Sequence, residues 1–239
     1  MIKAILFDFG QTLTDSADGF RAAERESQIK LFSDLAIASW EEFLSNYRRI
    51  RKRFHAKSNF SRKSIWHEVY THYGQKPHLN LLEKWEDDYW ENVRSKTKPF
   101  PETEQVLNTL SSSYRLAMIT NTQGQKNPRK HRINEYPEIE RFFDLIIVAG
   151  ESGIPPKPDP ASFLLCLNRL GIEPSEAVYV GDDWRIDICG AKKVGIQPIW
   201  IQHHSVHRSW PAMETSVPII TSLVTLLSLK SILLGRCFS

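Results

Sequence analysis

The chain has 239 residues, of which 41% are hydrophobic and 25% are charged. This is an ordinary globular composition for one large domain or a domain with an insertion. The net charge of +3, from 31 basic and 28 acidic residues, is too small to indicate a nucleic-acid or membrane partner.

The three cysteines have no CxxC spacing. They argue against a disulfide framework or a zinc site, and they favour the reducing cytoplasm as the compartment. The first residues run directly into an apolar segment, so we expect no signal peptide. No apolar run reaches transmembrane length, because the one near the C-terminus is interrupted by Lys230 and by several Ser and Thr.

The first predicted element is a buried strand over Ala4–Phe7 that ends at Asp8. A turn containing Gly10 follows, then the hydroxyl of Thr12 and a second acid, Asp15. An acid at the C-terminal end of a buried strand lies where open α/β sheets bind their ligands. The alternative is that Asp8 only ends the strand or caps the turn.

Residues 16–98 form a block with helical periodicity and little strand signal, typical of an inserted helical bundle. We expect helices over 22–32, 40 to about 54, 61–73 and 79–93. Four of the seven tryptophans lie here; packing of the block's own core is favoured over lining of a substrate pocket. The basic run 48–53 is interpreted as a solvated helix face, with capture of an anionic substrate as the alternative and nucleic-acid binding as the weakest option.

From Pro99 onward, helices alternate with short apolar strands. This pattern predicts an α/β fold with a Rossmann-like parallel sheet covered on both faces. The segment 123–135 is predicted to be a mobile polar loop, and the histidine-rich segment 202–207 a surface loop rather than a metal site. The predicted helices are 102–110, 137–143, 159–170, 186–194 and 223–234, and the predicted strands are 114–120, 145–149, 177–180 and 199–201.

Polar residues follow several of these strands, and in a parallel sheet they would gather at one edge. Their chemistry is complementary: carboxylates can hold Mg²⁺, a hydroxyl, an amide and an ammonium can bind phosphate oxygens, and a carboxylate can attack phosphorus. Each signal is weak alone, since a strand-end Thr-Asn is usually a turn and a single Lys is usually a surface charge. The set comprises Asp8 with Thr12, Thr120 with Asn121, Lys157, and Gly181-Asp182-Asp183 with Asp187.

In this order, the motifs resemble those of the haloacid dehalogenase-like hydrolase superfamily, whose members are mostly Mg²⁺-dependent phosphatases. Residues 8–15 are similar to its first motif, Thr120-Asn121 to the second, Lys157–Pro160 to the third, and Gly181–Asp183 with Asp187 to the fourth. The helical block lies between the first two motifs, as in the helical-cap subgroup. The resemblance implies a Rossmann-like catalytic core of residues 1–15 and 99–239, with a helical cap of residues 16–98.

For the metal site, the resemblance implies that Asp8 is both the nucleophile and a Mg²⁺ ligand. The backbone carbonyl of Gly10 and the carboxylate of Asp182 would be the other ligands. Asp183 or Asp187 would orient metal-bound waters or Lys157, and the spacing leaves open which of the two does more.

For the phosphoryl group, the resemblance implies binding by Thr120 and Lys157, with Asn121 assisting nearby. Thr12 is a supporting residue of the first motif. Asp15 stands where the core passes into the cap, and we interpret it as a hinge or cap-entry residue with a possible N-capping contact.

The sequence departs from the family pattern at Gly10, where most of these phosphatases carry a second Asp that protonates the leaving alcohol. The expected function is hydrolysis of a small phosphorylated metabolite, favouring good leaving groups. Two alternatives stay open: a phosphonoacetaldehyde-type C–P hydrolase using a cap lysine, and a weakly active or non-catalytic binding member. Dehalogenation fits less well, because that branch needs no Mg²⁺ and commonly has Tyr at this position. The candidate cap lysines are Lys30, Lys52, Lys57 and Lys63, and the oligomeric state is left open.

Overall fold

The computed structural model describes residues 1–57, 59–124, 132–206 and 215–233. These residues form two compact units. The helical unit comprises Ser16–Thr97 together with residues 122–124, and the sheet unit comprises the described parts of Met1–Asp15, Lys98–Asn121 and Arg132–Ser239.

Six strands of the sheet unit form one sheet in the order β5-β4-β1-β6-β7-β8, and every neighbouring pair is parallel. Two further strands, β2 and β3, make a short antiparallel pair of their own. The strands are β1 Ala4–Phe7, β2 Thr14–Asp15, β3 Lys98–Pro99, β4 Arg115–Asn121, β5 Leu145–Ala149, β6 Ala177–Gly181, β7 Gln197–Ile201 and β8 Ile219–Ile220. The predicted α/β class with a Rossmann-like sheet is therefore confirmed.

Strand β1 lies in the middle of the sheet and is buried along its whole length. Ile5 and Phe7 join the hydrophobic cluster on one face, whereas Ala4 and Leu6 join the cluster on the other. Alternate side chains of a strand point to opposite faces, so a continuous apolar run is what a doubly covered central strand requires. This position brings the end of β1 between the ends of β4 and β6.

The helices of both units are α1 Ala17–Asp34, α2 Trp40–Ala56, α3 Arg62–His72, α4 Leu79–Lys96, α5 Thr103–Ser111, α6 Pro137–Glu140, α7 Pro160–Leu170, α8 Cys189–Lys193 and α9 Leu229–Leu233. Two predictions require correction. The helix expected from residue 186 begins as a π-helical turn over Trp184–Ile188, and the helix expected over 223–234 is a 3₁₀ segment, Leu223–Ser228, followed by α9. Residue 234 lies outside the described part of the chain.

The helical unit has a hydrophobic core of its own. Trp66 is fully buried in it, and Trp40, Trp85 and Trp90 pack against it partly buried. The interpretation of these tryptophans as core residues is confirmed. Ser61 accepts a hydrogen bond from the backbone N–H of Ser64, which explains why α3 begins where the sequence predicts. No helix in the described ranges is both long and apolar enough to cross a membrane.

Two loop predictions were wrong in part. His203 is buried; its ring stacks on Phe100 with a centroid distance of 3.6 Å, and Nε2 donates to the Thr12 carbonyl at 3.0 Å. His207 lies outside the described residues. In the predicted loop 123–135, Arg132–Glu135 form a 3₁₀ turn with Arg132 and Ile133 buried, while residues 125–131 are not described.

Candidate active site

Asp8 directly follows β1, and its backbone N–H donates to the carbonyl of Val180 on the neighbouring strand β6 at 2.9 Å. The chain then turns back sharply: Gln11 has a positive φ of 62°, and its N–H donates to the Thr14 carbonyl at 2.7 Å. Gly10 bridges to Thr14 in the same turn. The carboxylate of Asp8 therefore projects from the end of the central strand, at the carboxyl edge of the sheet.

Lys157 reaches this edge from the segment before α7, and its ammonium group is almost fully buried. Nζ donates to Asp8 Oδ1 at 2.8 Å, to Asp187 Oδ1 at 2.7 Å, and to the Ile119 carbonyl and the Tyr179 hydroxyl at 2.8 Å each. Burial on its own would lower the pKa of Lys157, but Asp187 and Asp8 more than offset it, and this pKa is raised. The buried group is a permanent cation at neutral pH.

Asn121, at the end of β4, holds the backbone of Lys157 on both sides. Its amide nitrogen donates to the Lys157 carbonyl at 3.1 Å, and its side-chain oxygen accepts from the Lys157 N–H at 2.8 Å. The neighbouring Thr120 is buried. The described contacts of Asn121 thus place Lys157, whereas the sequence suggested an assisting role at the phosphoryl group.

The two acids that the sequence could not separate have different surroundings. Asp187 is buried; its Oδ1 accepts from Lys157 and from the Tyr179 hydroxyl at 3.2 Å, and its Oδ2 accepts from the Asp183 N–H at 3.0 Å. Burial raises the pKa of Asp187 to about 6, although Lys157 acts in the opposite direction. Asp183 instead caps the π-helical turn by accepting from the backbone N–H groups of Arg185 and Ile186.

Tyr179 was not predicted as a site residue. It lies inside strand β6, where its ring is fully buried and its hydroxyl donates to the Ile119 carbonyl at 3.0 Å. Burial, followed by the charges of Asp187 and Asp8, raises the pKa of Tyr179 well above its usual value, so the hydroxyl stays neutral. The only signal in the sequence was a polar group within an otherwise apolar strand, which needs a partner when it is buried.

Three carboxylates of the site form a cluster that could hold a cation. Asp8, Asp182 and Asp187 each offer one oxygen, and these three oxygens lie within 4.8 Å of one another. Together with the single ammonium of Lys157, they carry a formal charge of −2. Oxygen ligands with this net negative charge fit a hard divalent ion such as Mg²⁺. The cluster includes Asp187, which the sequence placed only in a supporting role.

Thr12 is fully buried, and its hydroxyl has no hydrogen-bond partner within the described ranges. Its contribution to the site is made by the backbone: the Thr12 carbonyl accepts from His203, and the next carbonyl, that of Leu13, accepts from Thr103 Oγ1 at 2.8 Å. These contacts hold the turn that follows Asp8 against the rest of the sheet unit.

Gly181 leaves no room for a side chain next to the acid cluster. A Cβ at this position would lie 2.5 Å from Asp187 Cβ and 2.7 Å from Asp187 Oδ2. We expect Gly181→Ala to cost about 1–3 kcal/mol of unfolding free energy, because Asp187 or the strand end must shift. It should also weaken the affinity of the three-carboxylate cluster for a divalent cation.

The matched control for Gly181→Ala is Gly74→Ala in the helical unit. Gly74 has a φ of +68° and open space around it. This variant should lose about 1 kcal/mol through backbone strain alone, with its affinity for a divalent cation unchanged. Equal cation affinities of both variants and the parent chain, measured by metal titration alongside thermal unfolding, would contradict the expectation for Gly181.

The chain is similar to known proteins in both sequence and fold. Residues 2–195 match the family described as haloacid dehalogenase-like hydrolase. A glyceraldehyde 3-phosphate phosphatase of Methanothermobacter thermautotrophicus is 29% identical over 98% of this chain and 100% of its own length. A haloacid dehalogenase-like phosphatase from Thermococcus onnurineus aligns with a TM-score of 0.69 and 25% identity, over 96% of this chain and 98% of the other. A 2-haloacid dehalogenase from Pseudomonas syringae aligns with a TM-score of 0.67 and 26% identity, over 99% and 100%.

Proposed function

The chain belongs to the haloacid dehalogenase-like hydrolase family, and we propose that it hydrolyses small phosphate monoesters with Mg²⁺ through an aspartyl-phosphate on Asp8. The observation that carries this proposal is the buried ammonium of Lys157 between Asp8 and Asp187, beside the three-carboxylate cluster. A fixed cation beside a nucleophilic carboxylate offsets the repulsion between that carboxylate and an anionic substrate. The phosphatase names of similar proteins agree with this reaction.

In the proposed reaction, Lys157 holds Oδ1 of Asp8 and so orients the carboxylate. The other carboxylate oxygen attacks phosphorus in line, the bond from phosphorus to the ester oxygen breaks, and the alkoxide takes a proton from water. Water then attacks the aspartyl-phosphate, which releases inorganic phosphate and restores Asp8. Thr120 and Lys157 are proposed to bind the non-reacting phosphoryl oxygens.

Asp8, Asp182 and Asp187 would hold the metal, with the Gly10 carbonyl as a further proposed ligand. When bound, Mg²⁺ supplies charge neutralisation at the phosphoryl oxygens. Asp187 would act by bridging this site to Lys157, since it accepts from the ammonium at 2.7 Å. Asp183 would act by keeping the π-helical turn in place.

The similarity to a 2-haloacid dehalogenase raises displacement of a halide by Asp8 as a second reaction. We favour hydrolysis of a phosphate ester over displacement of a halide, because the acid cluster with its formal charge of −2 suits a divalent cation.

The C–P hydrolase alternative needs a cap lysine that loses its proton readily. Lys30 is paired with Glu26 and Asp88, and Lys63 lies near Glu83 and Glu86; Lys52 and Lys57 are exposed.

The domain assignment belongs to the same proposal. Residues 1–15 and 99–239 would be the catalytic core, and residues 16–98 the cap that selects the substrate. We place the protein in the cytoplasm because its cysteines show no disulfide pattern.

Metal removal tests the proposal directly. With p-nitrophenyl phosphate and a panel of sugar phosphates, EDTA should lower kcat/KM by at least about a hundredfold, and added Mg²⁺ should restore it, because charge neutralisation contributes several kcal/mol. A 2-haloacid serves as the competing substrate. Metal-independent halide release, with no phosphate released from any ester, would overturn the proposal.

Gly10 sets a further expectation about the leaving group. Because no side chain at position 10 can protonate the departing oxygen, a factor of about 10²–10⁴ from general acid catalysis should be missing for poor leaving groups. Rates should therefore fall steeply from p-nitrophenyl phosphate to simple alkyl phosphates when kcat/KM is compared against leaving-group pKa. A flat relation would show that another group supplies the proton.

A further inference from the structure

The turn that follows Asp8 has a strained backbone. Its Gln11 N–H donates to the Thr14 carbonyl at 2.7 Å, which closes the turn from within. Gln11 also has a φ of 62°, a left-handed conformation that costs free energy in a residue other than glycine. Such a conformation persists where the surrounding structure fixes it. We therefore looked for the groups that fix this turn.

Two buried side chains from remote parts of the sheet unit bind consecutive carbonyl groups of the turn. His203 Nε2 donates to the Thr12 carbonyl at 3.0 Å, across 191 residues of sequence. Thr103 Oγ1 donates to the Leu13 carbonyl at 2.8 Å, across 90 residues. The exposed fractions of His203 and Thr103 are 5% and 0%. Because water does not compete for these buried hydrogen bonds, they hold the backbone of the turn firmly.

The imidazole of His203 is held in place on its own face. It stacks on the ring of Phe100 with a centroid distance of 3.6 Å and an interplanar angle of 20°. The Phe100 N–H in turn donates to the Leu13 carbonyl at 3.1 Å. Burial lowers the pKa of His203, although the Thr12 carbonyl acts in the opposite direction, so the ring is neutral at neutral pH. A neutral imidazole has one N–H, and His203 uses it on Thr12.

The strained torsion lies next to a proposed metal ligand, the Gly10 carbonyl. This carbonyl belongs to the peptide unit that joins Gly10 to Gln11, so the φ of Gln11 sets the direction of its oxygen. Gly10 has no side chain that could fix this peptide unit, and it bridges to Thr14 within the same turn. Relaxation of Gln11 toward a negative φ would rotate the peptide unit and turn the carbonyl away from its present direction.

We propose that His203 is a positioning residue for the metal site: its N–H on Thr12 keeps the turn strained and the Gly10 carbonyl directed as a ligand. The inference rests on the proposed function and deepens it, because it explains how a backbone ligand is held without a side chain. His203 takes no part in the chemical step. When fewer molecules hold the competent turn, the apparent Kd for a divalent cation rises in proportion.

The test is titration calorimetry of Mg²⁺ against the full metal-free chain. His203→Phe keeps a ring that can stack on Phe100 but has no N–H. Its Kd for Mg²⁺ should rise by at least about fivefold, the size expected for the loss of a buried hydrogen bond. His203→Gln has no aromatic ring, but its amide can donate in place of Nε2. The Kd of this variant should stay within about twofold of the parent value.

Hydrogen exchange of the metal-free chain gives a second readout that needs neither metal nor turnover. The Gln11 amide should exchange at least about fivefold faster in His203→Phe, because its bond to Thr14 opens when the turn relaxes. The Asp8 amide, which donates to the Val180 carbonyl at 2.9 Å in the sheet, should keep its parent rate. In turnover, half-maximal activity should need more Mg²⁺, while kcat at saturating Mg²⁺ stays within about threefold.

His204→Phe is the matched control, since His204 is the next residue along the chain and is exposed. It should leave the Mg²⁺ affinity and the exchange rates unchanged. Thr103→Val is a second test of the same turn, because it removes the donor to the Leu13 carbonyl with little change of shape. It should also weaken Mg²⁺ binding, and it decides the matter if His203→Phe does not fold.

The results separate this inference from the proposed function. Unchanged Mg²⁺ affinity in His203→Phe and Thr103→Val overturns the inference, and Mg²⁺-dependent hydrolysis of p-nitrophenyl phosphate by the same proteins leaves the proposed function intact. Equal losses in His203→Phe and His203→Gln also overturn it, since the ring rather than the N–H would then matter. Weaker Mg²⁺ binding in a chain that hydrolyses no phosphate ester supports the positioning role and rejects the proposed function.

Discussion

Asp8→Asn should lower kcat for p-nitrophenyl phosphate by at least about a thousandfold at saturating Mg²⁺. The amide has nearly the same shape as the carboxylate, but it is not a nucleophile and cannot form the aspartyl-phosphate. The fold should be retained, because Lys157 keeps Asp187, Tyr179 and the Ile119 carbonyl as partners. Rapid-quench kinetics with ³²P-labelled substrate would detect phosphate bound to the parent chain and none on the variant.

Asp144→Asn is the matched control for this experiment. Asp144 pairs with Arg115 at 3.2 Å on the surface, where it is 46% exposed. Such a pair contributes little to stability, so both turnover and Tm should stay near the parent values. Retention of more than a tenth of the parent rate in Asp8→Asn would rule out Asp8 as the nucleophile.

Lys157→Met should produce the largest change in stability. Its ammonium is the single described cation between the carboxylates of Asp8 and Asp187. Removing one member of a buried ion pair leaves the other charge uncompensated and typically costs about 3–5 kcal/mol. Activity should be lost as well, and added Mg²⁺ should recover part of the lost Tm because the metal neutralises the same carboxylates.

The double variant Lys157→Met/Asp187→Asn separates this charge effect from simple loss of packing. If the cost of Lys157→Met arises from the stranded charge, adding Asp187→Asn should return part of the lost unfolding free energy, a coupling of about 0.5–3 kcal/mol. Urea unfolding without metal gives the unfolding free energies of Lys157→Met, Asp187→Asn and the double variant, each relative to the parent chain. Additive losses in the double variant would contradict the electrostatic account.

Lys3→Met is the surface counterpart of Lys157→Met. Lys3 pairs with Glu176 at 2.7 Å, and its side chain is 57% exposed. Water screens this pair and already solvates both partners, so its removal should change unfolding little. The difference in unfolding free energy between the two lysine variants measures how much burial increases the contribution of a Lys–carboxylate pair to stability.

The family and the fold class could be predicted from the sequence because short motifs and short apolar runs, each made of neighbouring residues, indicate them. A four-residue apolar run predicts a buried strand wherever it occurs, and β1 is that strand. Parallel strands place their carboxyl ends at one edge of a sheet, so the sequence alone predicts that Asp8 and Asp182 lie near each other. Lys157 could be expected at the same edge because its segment follows the predicted strand 145–149, and the resemblance to the third motif supports the same position.

The sequence analysis did not predict very short strands, or contacts between residues that are far apart in the chain. Strands β2 and β3 have two residues each, and the whole helical unit separates them in the sequence. Segments this short and this far apart have no local pattern that predicts their pairing. The π-helical turn Trp184–Ile188 escaped for a related reason, since a single extra residue in a helical turn has no distinct periodicity. His203 looked like a loop residue because its partners, Phe100 and the Thr12 carbonyl, are remote in the chain.

The sequence by itself therefore determined the family and the α/β class, and it predicted the acids and the lysine that the structure brings together, since residue identity and local periodicity carry that information. Only the tertiary structure decided that Asp187 contacts Lys157, that Tyr179 joins them, and that Tyr47, Arg62 and Trp66 meet inside the helical unit. These relations depend on which side chains share a low-dielectric interior, and that is fixed by packing between segments far apart in the chain.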